Sequence, residues 1–119
     1  MSQKLEDGRT ALQRCREQID LLDSELLRLL NERATIVRSL APIKESSGLP
    51  LYDAQRERQI LSRLLAANPG PLGPENLTSI FRCIIRESRR VEADSMRLLK
   101  TKNSPEENSH GDQYGSKRI

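Results

Sequence analysis

Aromatic residues, histidine and long apolar runs are all scarce in this chain. Aromatic residues make up 3% of it and tryptophan is absent, so there is no stacking platform for single-stranded nucleic acid. The single histidine, His110, lies in a polar stretch, which argues against zinc sites and histidine catalysis. No segment approaches the roughly 20 apolar residues that span a bilayer, and Met1 to Arg9 lacks the apolar core of a signal peptide. We therefore expect a cytoplasmic protein without a metal or a membrane partner.

Cysteine is also scarce, and the charges are nearly balanced. Cys15 and Cys83 lie among leucines and isoleucines rather than in a close pair, so we expect buried, reduced thiols. With a formal net charge of +3, positive and negative residues are too nearly balanced for a binder of nucleic acid.

The 119 residues leave room for one domain, which we assign to residues 1–100. Residues 101–119 are polar, and we expect them to form a disordered tail.

Glycine and proline interrupt the sequence at 46–50 (SSGLP) and at 68–74 (NPGPLGP), which divides it into three segments. In each segment apolar residues recur every three or four positions, the spacing of one helical face. These positions are Leu12, Cys15, Ile19, Leu22, Leu26 and Leu29, then Ile60, Leu61, Leu64 and Leu65, and finally Leu77, Ile80, Phe81, Ile84 and Ile85. We predict an all-α fold with helices from about Asp7 to Lys44, from the N-cap Asp53 to Ala67, and from Pro74 to about Leu99.

The predicted first helix is very long, about 55 Å, whereas a compact 100-residue domain has a radius of gyration near 13 Å. Its apolar stripe continues for most of that length, and two short helices cannot cover it. A second copy of the chain is the simplest cover, so we predict an intertwined homodimer. The alternative is a solitary three-helix bundle with a frayed first helix.

Charged residues interrupt the apolar stripe of the first segment. The three-four spacing that passes Leu26 and Leu29 reaches Arg33 and later Lys44, which share a helical face about 16 Å apart. Cations on a buried face need an anion beside them, from the protein or from a ligand. A structural ion pair or a side chain that extends to solvent is the alternative for either residue alone.

Polar residues also continue the inward faces of the other two helices. Glu57 precedes the apolar positions of the second segment, and Ser88 and Glu92 follow those of the third. Each of these residues taken singly is as well explained by a solvated edge or a hydroxyl bonded to its own helix. Arg16 lies about 25 Å before Arg33 on the first helix, so only an antiparallel second copy would bring it to the Arg33 and Lys44 end.

Four arginines of the third segment lie off its apolar face and are interspersed with Glu87. A solvated face explains them better than a nucleic-acid site does. They are Arg82, Arg86, Arg89 and Arg90.

The sequence resembles the all-helical AroQ class of chorismate mutases from about Leu12 to Leu99. The resemblance lies in the runs LQRCREQIDLLDSELLRLLNERATIV, YDAQRERQIL and GPLGPENLTSIFRCIIRESRRVE, together with Lys44. Their Ile-Asp-x-x-Asp, Asn-Glu-Arg and Asp-x-x-Arg-Glu elements are specific in combination and weak singly. The resemblance implies the chorismate mutase type II fold, chorismate as substrate and active sites shared between two chains.

The resemblance also implies a role for each polar residue. Arg16 of the partner subunit, Arg33 and Ser88 would hold the two substrate carboxylates, and Lys44 would reach a carboxylate and the ether oxygen. Asp53 and Glu57 would hold the ring hydroxyl, Glu92 would face the ether oxygen, and Arg56 would organise the site.

The implied reaction is a unimolecular rearrangement to prephenate and needs no cofactor. Glu92 must carry a proton to donate a hydrogen bond, and many relatives have glutamine at this place. We therefore predict activity that falls as pH rises. Pro42 lies just before Lys44 and removes a backbone donor, so we expect a kink that redirects Lys44.

Two alternatives to this function stay open. One is an isochorismate pyruvate lyase of the same fold, which resembles the family in its arginine and lysine positions. The other is a non-catalytic helical module that regulates another enzyme of the shikimate pathway. Even a mutase of this kind can act alongside a partner enzyme.

Overall fold

The computed structural model describes residues 2–102, which form three α-helices. Helix α1 spans Ser2–Ser47, α2 spans Ala54–Ala67 and α3 spans Pro74–Lys102. The all-α prediction is confirmed, although α1 is longer than expected at both ends and continues through Pro42. Helix α3 includes Thr101 and Lys102, which we had assigned to the tail. The rest of that predicted tail, residues 103–119, lies outside the described residues.

The described residues divide into two compact units between Thr35 and Ile36. In the first unit, a single helical segment, no described residue is buried. The apolar stripe is exposed there, with Leu12 and Ile19 at 50% and 53%. None of the helices within residues 2–102 has both the length and the apolar character that a bilayer-spanning helix needs.

Both cysteines are free thiols, and both are exposed. The prediction that Cys15 and Cys83 are buried is therefore wrong for the single chain. Spacing identifies the helical face on which a residue lies, but it does not establish that the same chain covers this face.

The second unit buries five of its described residues, contributed by all three helices. Four of them are apolar, namely Ala41 of α1, Ile60 of α2, and Leu77 and Ile85 of α3. Burying a large aliphatic side chain contributes about 1.5 to 3 kcal/mol, which accounts for the packing of α2 against α3. The fifth buried residue is Glu92, a carboxylate in a small core.

A glycine turn ends α1 and directs the chain toward α2. Gly48 has a φ of 66°, in the left-handed region that glycine adopts at little cost. Leu49 N donates to Lys44 O at 2.9 Å, and Gly48 N donates to Glu45 O at 3.4 Å. This is the Schellman arrangement, and it fits the break predicted at 46–50.

The side chain of Asn68 stabilises the loop between α2 and α3 with two hydrogen bonds. Asn68 Oδ1 accepts a hydrogen bond from Gly70 N at 3.0 Å, and its Nδ2 donates to Leu72 O at 2.8 Å. Pro74 then begins α3, as predicted, because a first-turn position needs no backbone donor.

Candidate functional site

The last turn of α1 places Lys44 against Glu92 of α3. Lys44 Nζ lies 2.6 Å from Glu92 Oε1, and the two side chains are only 17% and 7% exposed. Nζ also donates a hydrogen bond to the Leu51 carbonyl oxygen at 2.9 Å. The contact with Glu92 is close but lacks hydrogen-bond direction, so Oε1 accepts no hydrogen bond from a described residue. An ammonium and a carboxylate thus meet in the core, and Glu92 Oε1 is left without a well-directed hydrogen bond from the described residues.

This buried pair is a poor means of stabilising a fold. Removing each ion from water costs several kcal/mol, and the attraction between the two ions recovers this only in part. Apolar residues of similar size often stabilise a core as well or better. Ionisable groups in such surroundings occur often at functional sites, which makes Lys44 and Glu92 the centre of the candidate site.

A second ion pair joins α2 to α3. Arg89 Nη2 donates to Glu57 Oε1 at 2.8 Å, and Arg89 Nε donates to Glu57 Oε2 at 3.1 Å. The guanidinium carbon of Arg89 also lies 4.6 Å from the centre of the Tyr52 ring, within the range of a cation–π contact. Glu57 is therefore held by an arginine that is itself held by an aromatic ring.

Arg89, which we predicted to lie on a solvated face, has a side chain that is 40% exposed, but it also contacts Glu57 and the Tyr52 ring. The same prediction holds for Arg86 and Arg90, which are exposed and contact Glu87. Neither Arg89 nor Tyr52 was among the predicted site residues. The available signal was the position of Arg89 between Ser88 and Glu92, at the edge of the inward face.

A groove of about 370 Å³ opens between α2 and α3 beside the Glu57 and Arg89 pair. Arg58 and Arg82 on its lining form no ion pair with any described residue, so positive charge exceeds negative charge there. Such a surface attracts anions. The lining residues are Tyr52, Ala54, Glu57, Arg58, Leu61, Arg82, Ile85, Arg86 and Arg89.

Asp53 and Arg56 lie at the start of α2, and both are exposed. The Asp53 side chain accepts a hydrogen bond from Arg56 N at 3.0 Å, so Asp53 is the N-cap that the sequence predicted. The capping carboxylate still has lone pairs for a second donor. Its contact with a substrate hydroxyl, and the organising role of Arg56, stay predictions.

The remaining predicted residues are Ser88, Arg33 and Arg16. Ser88 is part-buried on α3, one helical turn before Glu92. Arg33 and Arg16 belong to the first unit, where Arg33 is part-buried and Arg16 is exposed. The structure therefore brings Lys44 together with Glu92, and Glu57 together with Arg89, within the second unit. Within residues 2–102, no three histidine, cysteine or acidic side chains cluster as metal ligands do.

Comparison with protein families assigns most of the chain to one of them. A family model described as "Chorismate mutase type II" matches residues 15–93. The chain is 36% identical to a chorismate mutase structure (Form II) from Thermus thermophilus, with a TM-score of 0.68, over 69% of this chain and 93% of that one. The all-helical fold and the predicted family are thus confirmed.

Curated relatives are named as chorismate mutases, either alone or fused to a second enzyme. The chain is 28% identical over 89 residues to a chorismate mutase of Methanocaldococcus jannaschii, covering 74% of this chain and 90% of the relative. It is 40% identical over 85 residues to a bifunctional chorismate mutase/prephenate dehydratase of Aquifex aeolicus, covering 68% of this chain. The match spans only 24% of that bifunctional relative.

Proposed function

Since the chain belongs to the chorismate mutase type II family, we propose that it catalyses the rearrangement of chorismate to prephenate, a step of phenylalanine and tyrosine biosynthesis. The observation that carries the proposal is the buried contact between Lys44 and Glu92. It places a cation and a carboxyl group side by side in the core. The reaction needs both groups beside the ether oxygen of the substrate.

The rearrangement breaks the ether C–O bond and forms a C–C bond within one molecule, so the protein exchanges no electron and forms no covalent intermediate. Negative charge develops on the ether oxygen as its bond to carbon lengthens. The ammonium of Lys44 stabilises this charge by about 3 to 4 kcal/mol. Glu92 donates a hydrogen bond to the same oxygen only in molecules in which its carboxyl group carries a proton. Catalysis then rests on electrostatics and on the conformation in which the substrate is held.

The substrate is a dianion, and its two carboxylates need cations that hold them in the reactive conformation. Guanidinium groups suit this task because they bind carboxylates with two parallel hydrogen bonds. Resemblance to the family assigns the carboxylates to Arg33, to Arg16 of the partner subunit and to Ser88. It assigns the ring hydroxyl to Asp53 and Glu57, with Arg56 in support.

The exposed stripe of α1 supports a homodimer as the active form. Leu22, Leu26 and Leu29 are all exposed in the single chain, although their spacing is that of a buried face. Each leucine that a second copy covers contributes about 1.5 to 3 kcal/mol. We expect sedimentation equilibrium to give a dimer for the wild type and a monomer for Leu26→Asp. Ser24→Asp, on the opposite side of α1, should leave the dimer intact, and a monomeric wild type would contradict the proposal.

The names of the bifunctional relatives support a partner as well. They join the mutase to a prephenate dehydratase, so we propose that a second enzyme of the same pathway acts beside this chain. A cytoplasmic location stays a prediction.

The decisive experiment follows the loss of chorismate by absorbance with purified protein. The wild type should produce prephenate, and Lys44→Met should lower kcat by about 100- to 1000-fold because one donor to the ether oxygen is lost. Lys100→Met, an exposed position on α3, is the matched control and should behave as the wild type does.

Two other outcomes identify the alternatives. Salicylate and pyruvate formed from isochorismate, without prephenate from chorismate, would identify the lyase. A folded dimer that changes neither compound would instead indicate a non-catalytic module.

A further inference from the structure

We propose that Arg89 is a positioning residue for Glu57, and that with Tyr52 it fixes the carboxylate that receives the substrate's ring hydroxyl. This inference rests on the proposed function, since it adds a residue to the same site. Resemblance to the family assigned a role to Glu57 and none to Arg89 or Tyr52. Both are placed by the geometry of the second unit alone.

The contact between Arg89 and Glu57 is bidentate, which determines its effect. Two parallel hydrogen bonds, at 2.8 Å and 3.1 Å, fix the plane of the carboxylate as well as its position. A single bond would leave the group free to rotate. Because Glu57 lies in the first turn of α2 and Arg89 lies near the middle of α3, the same contact also fixes the spacing of the two helices at this point.

The bidentate contact leaves Glu57 able to bind a ligand. Each carboxylate oxygen has two lone-pair positions, and Arg89 uses one on each oxygen. The remaining positions accept a hydrogen bond from a donor such as a hydroxyl, and their direction is set by the plane that Arg89 imposes. Arg89 therefore orients the Glu57 carboxylate and leaves one lone-pair position on each oxygen for a ligand.

Arg89 is held in turn by Tyr52, the residue just before the cap of α2. The ring lies 4.6 Å from the guanidinium carbon, so it restricts a long side chain that would otherwise sample many rotamers. Tyr52, Glu57 and Arg89 also line one groove, beside arginines that carry positive charge. Side chains fixed before a ligand arrives lose little freedom when it binds.

The expected consequence concerns specificity. A site whose polar groups are oriented toward a hydroxyl discriminates against an analogue that lacks it, because the analogue forms one hydrogen bond fewer. If Arg89 fixes the plane of Glu57, removing Arg89 weakens this discrimination. A role confined to stability would lower the activity on both compounds in the same proportion.

The test compares chorismate with an analogue that lacks the ring hydroxyl. We expect Arg89→Met to lower kcat/KM for chorismate about tenfold while changing kcat/KM for the analogue little. The preference for chorismate then falls by the same factor. Arg89→Lys, which keeps the charge and loses the planar fork, should recover only part of it. Arg90→Met is the matched control, because Arg90 is exposed and contacts Glu87 instead.

Glu57→Gln separates this inference from the proposed function. If Glu57→Gln lowers the preference and Arg89→Met leaves it unchanged, or lowers both rates equally, the positioning role is wrong and the function stands. A wild-type chain that leaves chorismate unchanged overturns both. Thermal unfolding shows whether each variant is folded. If Arg89→Met does not fold, Tyr52→Leu provides the same readout, and an unchanged preference there counts against the inference.

Discussion

Replacing Glu92 by glutamine tests the proton that its proposed role requires. A carboxyl group donates a hydrogen bond to the ether oxygen only in its neutral form, whereas an amide donates at every pH. We therefore expect kcat/KM of the wild type to fall as pH rises, by up to about tenfold for each pH unit. The Glu92→Gln variant should show a flatter profile over the same range.

The structure also indicates how much the free energy of unfolding should change when Glu92 is replaced. Opposite charges 2.6 Å apart attract by about 6 kcal/mol at an effective dielectric constant of about 20, and desolvation offsets several kcal/mol for each ion. Glutamine keeps the shape and an oxygen beside Lys44, so we expect it to lower the free energy of unfolding by about 1 to 2 kcal/mol. Glu92→Leu leaves the ammonium without its carboxylate and should lower it by about 3 to 5 kcal/mol.

Two measurements check these expectations. Initial rates of chorismate loss are followed between about pH 5 and pH 8 at constant ionic strength, and urea unfolding gives the stability of each variant. Glu75→Gln, an exposed position in the first turn of α3, is the control for removing one negative charge. If Glu92→Gln keeps the slope of the wild type, Glu92 is not the proton donor. If Glu92→Leu is as stable as the wild type, the contact with Lys44 does not contribute to folding.

Three further substitutions or modifications give outcomes that can be measured directly. Gly48→Ala should lower the free energy of unfolding in urea by about 1 to 2 kcal/mol, because alanine is strained at the left-handed φ of this turn. Asp53→Ala should cost about 1 kcal/mol in the same assay through loss of the N-cap, whereas Asp53→Asn keeps the cap and changes only activity. Cys83 should react rapidly with a thiol reagent while Cys15 is protected by the second copy. Equal labelling of both thiols in the folded protein would argue against that cover.

The sequence predicts the helices well where a local signal marks their ends. Asp53 caps α2 and Pro74 begins α3 as expected, because both depend on chemistry within one turn. The first helix is less well predicted, since Ser2 to Glu6 carries few apolar residues to mark a face. Pro42 does not end α1, because it removes a single backbone donor from a helix that has many.

The candidate site is predictable in part. Spacing places Lys44 and Glu92 on inward faces, and in the structure the two side chains meet. Spacing does not reveal that Glu57 pairs with Arg89, because the two residues are 32 positions apart and their contact depends on how α2 packs on α3. The same limit explains the wrong expectation for Cys15, whose cover depends on what lies outside its own helix.

The hydrogen bond from Lys44 to Leu51 has a consequence for substitution at this position. An ammonium group offers three N–H donors in a tripod, and here one is directed to the loop carbonyl and the group as a whole lies beside Glu92. A donor therefore remains for an incoming oxygen while the loop stays anchored. Arginine carries the same charge, but its flat fork does not divide its donors among three directions in so small a space. Lysine and arginine are thus not equivalent here, and the geometry of the donors matters as much as the charge.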